Sequence, residues 1–374
     1  MRLCHIVPSL EAKHGGPSKS VHRLAAALSR LGHDVDLLAT RPGGETATTD
    51  GRLRVREFRR GFPAFLCPSA GLPDHLRRQA YDCLHHHALW LRSLHYAAQA
   101  ARGTGAPLVI APRGMLSDWA WHHRRWKKRL AARLVHPGAL AAAGGWHATS
   151  AAEADDIRRR GFSQPICVAP NGVEAPTPED LTQAHEVWWH LCPAVATRPV
   201  ALFYSRFHRK KRLLELIDLW IEAAPREWLL LVAGIPQEYT VEDLETYVAR
   251  RTAQDRIAVF DGSDRPPPYG AASLFLLPSH TENFGLVVAE AMAWGVPVLV
   301  TDTTPWAEVP LQNAGWCVAW ADYREALRRA LGESPDRLEQ RGARARDWVL
   351  SRYSWDHAAR PLVEFYRRLT GSTA

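Results

Sequence analysis

Residues Ser279 to Val309 read SHTENFGLVVAEAMAWGVPVLVTDTTPWAEV, and this stretch decides the fold class. Just ahead of it, Ser273-Leu-Phe-Leu-Leu-Pro278 is a short apolar run closed by a proline, the pattern of a strand buried on both faces. Thr281-Glu282-Asn283-Phe284-Gly285 is a polar loop ending in a residue that lets backbone approach a ligand. Leu286 to Trp294 has helical character, Gly295-Val296-Pro297 stops it, and Val298-Leu299-Val300-Thr301 is the next buried strand. Strand, loop, helix and strand make one right-handed crossover, the repeating unit of a doubly wound α/β sheet.

Two acids frame the loop and its helix. Glu282 and Glu290 stand eight residues apart, a little over two helical turns, so both carboxylates can face the carboxyl edge of the sheet. At the helix start the N–H groups of Phe284, Gly285 and Leu286 aim at an anion. Carboxylates bind hydroxyls and amides bind phosphate, so the combination suits a sugar nucleotide, with one glutamate on the sugar and the other on the ribose. Singly, Glu290 would read as a solvated helix face and Glu282 as a helix cap; their spacing and setting favour the site.

From Glu282 to Val298 the chain resembles E-x-F-G-L-x-x-x-E-A-M-A-x-G-x-P-V, the hallmark of the retaining glycosyltransferases of family 4. The resemblance implies an α/β protein of the GT-B fold, two facing Rossmann-like doubly wound domains with a cleft between them. It implies an acceptor domain over residues 1–175, a nucleotide-sugar donor domain over 176–353, and a C-terminal helix within 354–374 crossing back onto the first. Ser205-Arg206 to Lys211 resembles the family's G-R-x-x-x-x-K, with Ser205 for glycine, so Arg206 and Lys211 are expected to clamp the donor diphosphate. The resemblance also brings Gly15 and Gly16 to that diphosphate, and Asn283, Phe284, Gly285 and Leu286 to the donor. Loops at Gly234 and Gly262 are expected to hold the base. His85 to Trp90 resembles H-x-H-x-x-W, which makes His87 a cleft residue. After the strand Pro107–Pro112 much of the family carries a histidine, and here Arg113 stands in its place, within the P-R-G-M-L of an exopolysaccharide-type subgroup. Arginine stays protonated and cannot be a base, but it can hold a phosphate or an acceptor anion.

The 374 residues suffice for two full cores, and 46% hydrophobic with 23% charged residues marks an ordinary globular chain. Formal charge +8 favours anionic partners without choosing among them. Six scattered cysteines lack zinc or redox spacing and are expected as buried reduced thiols, which points to the cytosol. No stretch is apolar enough to span a bilayer. His85, His86 and His87 alternate faces on a strand, so at most two share one, and no metal site is expected there. Asp34-Val35-Asp36 is read as a chance likeness to a D-x-D metal motif, and the dinucleotide and P-loop fingerprints are absent. Between Asp118 and Ala143, Arg124, Arg125, Lys127, Lys128, Arg129 and Arg133 interleave with Trp119, Trp121 and Trp126. This basic helix suits either an anionic membrane surface or a solvated face whose tryptophans pack inward.

The expected function is a metal-independent, hexosyltransferase-like enzyme of polysaccharide or cell-envelope synthesis, retaining by resemblance. It would move a sugar from a UDP- or GDP-type donor to a glycan or lipid-linked glycan, without a cofactor, on the cytoplasmic side. The alternatives are a nucleotide-sugar epimerase of related fold and a basic nucleic-acid-binding protein, the latter disfavoured.

Overall fold

The computed structural model describes residues 1–11, 16–122 and 125–371. They form two compact units: Met1–Gly172 together with the chain from Trp355 onward, and Val173–Ser354. Each is a sheet with helices on its faces.

The first unit holds β1 (Arg2–Ile6), β2 (Asp34–Arg41), β3 (Thr46–Asp50), β4 (Leu53–Arg59), β5 (Cys83–His87), β6 (Leu108–Ala111), β7 (Gly145–Ala148) and β8 (Ile166–Val168). Their order is β3-β4-β2-β1-β5-β6-β7-β8. Only β3 runs antiparallel; it is the exposed edge strand, Thr-Ala-Thr-Thr-Asp. The chain leaves β1 first towards β2 and later returns to β5 on its other side, so the winding reverses there. That reversal opens a crevice at the carboxyl ends of β1 and β5, where ligands of such sheets bind. The helix Trp355–Thr370 buries Trp355, Leu362, Phe365 and Tyr366 in this unit, packing on the helix Gly16–Arg30 and on β8.

The second unit holds β9 (Val200–Tyr204), β10 (Leu229–Gly234), β11 (Ile257–Asp261), β12 (Leu274–Leu277), β13 (Val298–Thr301) and β14 (Gly315–Val318). The order is β11-β10-β9-β12-β13-β14, parallel throughout, and the reversal lies between β9 and β12. Val298-Leu-Val and Leu274-Phe-Leu-Leu are buried at every position, as continuous apolar strands must be between two helix layers. The helix Leu286–Ala293 connects β12 to β13 and is apolar nearly all round because sheet and helix both cover it.

Several local expectations need correction. The segment 174–198, proline-rich at both ends and expected to hold a helix within a hinge, does carry that helix, Pro178–Leu191, capped reciprocally by Thr177 and Asp180. Ala184 and Trp188, one turn apart, make it part of the second core: Trp188 is fully buried and donates to the Pro266 carbonyl at 2.8 Å. The units divide at Gly172/Val173, because the Val173 N–H donates to the Tyr353 carbonyl at 2.7 Å and joins that residue to the second unit. Residues 43–80, whose Gly, Pro and Arg suggest irregular connections around short strands, carry the strands β3 and β4 and in addition the helix Gly71–Arg78. In place of one basic helix over 118–143 there are two shorter ones, Asp118–His122 and Arg125–Leu134, and Arg124 lies outside the described residues. The described cysteines are all free thiols, and all but Cys317 are buried.

Candidate active-site residues in the two units

In the second unit the loops after β9 and β12 leave adjacent strands, one on each side of the reversal. They bring Lys211 and Glu282, 71 residues apart, into a buried ion pair. Glu282 also accepts from the Ser279 hydroxyl at 2.6 Å. Burial alone would push its carboxyl up, but Lys211, the Ser279 hydroxyl and nearby Lys210 together hold it below the usual carboxylate range. Lys210 is held down by burial, against the pull of Glu282. Arg206, on the same loop, is exposed and has no hydrogen-bond or ion-pair partner among the described residues. It is a cation without an assigned anion.

The helix start is built as the sequence suggests. Gly285 sits at φ 76°, a left-handed conformation that side chains rarely adopt, and a Cβ there would lie 3.1 Å from Nε1 of Trp306. That indole donates to the Phe284 carbonyl at 2.7 Å, while Phe284, Trp306 and Tyr353 stack behind the loop. The rigid backing leaves the N–H groups of Phe284, Gly285 and Leu286 with no acceptor among the described residues. Asn283 is half-buried beside them. Glu290 is half-exposed and accepts from the Tyr269 hydroxyl at 2.8 Å. Tyr269, two strands' worth of sequence away, carried no signal in its own neighbourhood. Gly234 has a plain steric role: a Cβ would stand 1.7 Å from the Ser205 carbonyl, so the turns after β9 and β10 can pass only without one.

In the first unit His5 of β1 pairs in register with His85 of β5, and His87 lies on the same face two residues on. Together with His147 and Tyr366 they form a buried polar layer that sequence spacing alone could not reveal. Burial drives His5 and His147 down to about 3, and His85 and His87 well below their ordinary value. The rings are therefore neutral, and each has one donor and one acceptor nitrogen. The two ends of the network fix which. Arg113 can only donate, so Nδ1 of His87, 3.0 Å from its Nη2, accepts. Nε2 of His87 then donates to Nδ1 of His5 at 3.1 Å, leaving the His5 proton on Nε2, which is buried without a partner. At the other end the Ala169 carbonyl can only accept, so His147 donates from Nε2 at 2.8 Å. His85 accordingly donates from Nε2 to Nδ1 of His147 at 3.3 Å, and its Nδ1 accepts from the Tyr366 hydroxyl at 2.6 Å.

His5, His85 and His87 offer nitrogens within 4.8 Å of one another, close enough to share a cation. Yet every ring's lone pair is already occupied, and a guanidinium adjoins His87. The cluster is an internal hydrogen-bonded layer whose outer end holds Arg113. Nη1 of Arg113 donates to Asn171 Oδ1 at 2.7 Å. Glu153 forms half of a capping box with Ser150, the residue that caps the helix Ala151–Arg159. Its N–H does donate to Ser150 Oγ at 3.2 Å, but its carboxylate accepts from Thr149 N–H and from the Gly114 N–H at 2.7 and 2.6 Å. It thereby braces the turn that carries Arg113. Asp36 is internal too, accepting from Tyr81 at 2.6 Å and paired with Arg54. Gly16 begins the helix Gly16–Arg30, and Gly15 lies outside the described residues.

On the helix Arg125–Leu134, Trp126, Leu130 and Leu134 are 66%, 50% and 66% exposed. They stand at i, i+4 and i+8, a single apolar stripe facing solvent, with Lys127, Arg129 and Arg133 beside it. Trp121, by contrast, packs inward against Trp90. No helix among the described residues is long and apolar enough to cross a membrane.

Residues 15–172 match the Glycosyl transferase 4-like domain family and residues 193–348 the Glycosyl transferases group 1 family. Among curated proteins the chain is 29% identical to the alpha-maltose-1-phosphate synthase of Mycolicibacterium smegmatis, over 46% of this chain and 49% of that protein. It is 30% identical to the GDP-mannose:cellobiosyl-diphosphopolyprenol alpha-mannosyltransferase of Komagataeibacter xylinus, over 46% and 45%. It spans about half the length of the curated relatives it matches. Among solved structures, the sucrose-phosphate synthase of Thermosynechococcus elongatus superposes with TM-score 0.78 at 20% identity, over the whole of both chains. HepE of Anabaena, in complex with UDP and glucose, gives 0.75 at 19% identity, over 98% of this chain and 100% of that one.

Proposed function

Because the chain belongs to the two-domain glycosyltransferases of the 4-like and group 1 families and has the GT-B fold, we propose that it transfers a sugar from a nucleotide-diphosphate donor to a glycan or lipid-linked glycan. One observation carries the proposal. At the reversal of the second sheet, the loop after β9 carries Arg206, without a hydrogen-bond or ion-pair partner among the described residues, and Lys211, whose ion pair with Glu282 lies beside three helix-start N–H groups that have no acceptor among them. Two cationic groups and oriented amides suit a diphosphate; a carboxylate held ionised beside them suits sugar hydroxyls.

In this reading Arg206, Lys211 and the helix amides stabilise the charge that develops on the departing diphosphate. The bond from the anomeric carbon to the phosphate oxygen breaks as the bond to the acceptor oxygen forms, and the acceptor proton leaves with the diphosphate. No base in the protein and no metal is required by that balance, and attack on the face of departure retains configuration. Glu290, steadied by Tyr269, takes the ribose. On the acceptor side stand His87 and Arg113. By their names, the two relatives make a maltose 1-phosphate and use a diphosphopolyprenol-linked acceptor, which supports an acceptor of polysaccharide or cell-envelope assembly. The exposed stripe of Trp126, Leu130 and Leu134 with its lysines and arginines suits peripheral attachment to an anionic membrane bearing such an acceptor.

A thermal-shift screen of UDP-, GDP-, ADP- and TDP-sugars tests the proposal. A ligand at a hundred times its dissociation constant adds about 2.7 kcal/mol, so one nucleotide series should raise the melting temperature and free sugars should not. A flat response to all four would overturn it.

A further inference from the structure

Arg113 is a cation with no adjacent counter-charge among the described residues. No carboxylate lies within ion-pair distance of it among the described residues, and its two hydrogen bonds go to neutral groups, Nδ1 of His87 and Oδ1 of Asn171. Its Nε–H is buried without a partner. Glu153, the carboxylate that acts on it at longer range, is turned to Thr149 and Gly114. Setting a guanidinium into a half-buried place without an anion costs free energy that two neutral hydrogen bonds do not recover. Burial accordingly pulls Arg113 down to about 10, which leaves it charged at neutral pH.

The backbone is strained at the same spot. Arg113 has φ 53°, and Ala88 and Trp90, in the loop after the neighbouring strand β5, have φ 80° and 66°. Three of the seven described non-glycine residues with positive φ thus crowd the carboxyl ends of β5 and β6. Such conformations are unfavourable and persist where the surroundings enforce them, commonly at ligand sites. The tautomer chain explains the enforcement: His87 can offer Arg113 a lone pair only while its proton is committed to His5. A salt-bridged structural arginine would need neither the strain nor a neutral histidine layer behind it. An arginine kept charged, oriented and uncompensated does.

Resting on the transferase reading above, we propose that Arg113 anchors an anion subsite in the first unit, filled by a phosphate or carboxylate oxyanion of the acceptor and distinct from the donor's diphosphate. With Nη1 and Nη2 each giving one hydrogen to Asn171 and His87, the second hydrogens of both Nη atoms remain for the incoming oxygens. His87 and Asn171 are positioning residues: they set the guanidinium plane and do not touch the reacting atoms.

The test uses the full chain with its donor site saturated by the nucleotide that the thermal screen selects, and with histidines labelled with 15N. Inorganic phosphate, then acetate, is titrated at constant ionic strength against chloride while the ring resonances of His87 and of its neighbour His5 are followed, His5 being the reporter in the His87 variants. Saturable shifts are expected in the wild type. They should be lost in Arg113→Gln and weakened about tenfold or more in His87→Leu, with His87→Gln, whose side-chain oxygen can accept from Arg113, restoring part of the affinity. Phosphate but not acetate binding would assign the oxyanion to a phosphate ester; the reverse would assign a carboxylate. Absence of any saturable shift, or one unchanged in Arg113→Gln, would overturn the subsite. So would a phosphate response seen only when the donor site is empty, since the anion would then be the donor's. Nucleotide binding recorded on the same samples keeps the two claims apart: if it persists while phosphate has no effect, only the anion subsite falls.

Discussion

At the residue scale the two glutamates are held differently, and that difference predicts separable kinetics. Glu290 is half-exposed, anchored by Tyr269, and assigned to the ribose, a contact made alike in ground and transition states. Uniform binding of that kind sets KM without changing kcat. Loss of a hydrogen bond to a charged group costs about 1.5–3 kcal/mol, so Glu290→Ala should chiefly raise donor KM. Glu282 is buried and locked to Lys211 and Ser279, beside the sugar in the proposed pose. Misplacement at the reacting centre can cost about a hundredfold, so Glu282→Ala should depress kcat. Steady-state kinetics against donor concentration decide; a KM-only effect at Glu282 with lost kcat at Glu290 would reverse the two roles. Arg206 has no hydrogen bond or ion pair to lose among the described residues, so Arg206→Ala should leave the melting temperature unchanged and lower turnover by about a hundredfold. Destabilisation with undiminished turnover would mean the guanidinium has a structural role instead.

At the scale of elements, the helix Arg125–Leu134 has a solvent-facing stripe that its own unit does not cover. Its basic flanks predict co-sedimentation with anionic liposomes at low salt and release as salt rises, because such attraction fades within a Debye length of about 10 Å at 0.1 M. Replacing Trp126 and Leu130 with serine should weaken binding at every salt concentration. Charge reversal at Lys127 and Arg133 should abolish it. Wild-type protein that stays in the supernatant at low salt would mark the helix as a solvated face. The turn after β10 offers a sterner structural case. Gly234→Ala places a methyl 1.7 Å from the Ser205 carbonyl, a clash only backbone movement can relieve. A loss of several kcal/mol is expected in urea unfolding, together with displacement of the Arg206 loop.

For the whole molecule, acid should dismantle the two units in order. A histidine whose pKa in the folded state lies below its unfolded value of 6.5 stays neutral where the unfolded chain takes up a proton. Its favourable contribution is therefore complete above pH 6.5 and is lost progressively as pH falls towards the folded value, about 3 for His5 and His147. Each such ring costs about 1.4 kcal/mol per pH unit over that window, and His85 and His87 add to it. Glu282, the buried acid of the second unit, has a folded pKa below 4.5, so its contribution persists above 4.5 and is lost only as pH falls through the lower folded value. Limited proteolysis across pH 7 to 4 should cut residues 1–172 and the Trp355–Thr370 helix while Val173–Ser354 remains intact. Simultaneous cleavage of both units, or none before pH 4, would contradict the neutral histidine layer.

What the sequence determined by itself was the material of the site and its local scaffolding. Continuous apolar runs with glycine and proline stops define parallel strands, and the spacing of Glu282, Gly285 and Glu290 marks one loop and helix, because these features depend on neighbours within about a dozen residues. The residues proposed for the donor were singled out for that reason. What only the tertiary structure decided is which distant side chains meet. The Lys211–Glu282 pair spans two loops, Tyr269 reaches Glu290 from another element, and four histidines and Tyr366 form one layer from three strands and a C-terminal helix. The basic segment likewise held both outcomes, since Trp121 turns inward while Trp126 faces solvent. Tautomers, ionisation and an uncompensated guanidinium follow from burial and partners, and strand order and packing assign those across the whole chain.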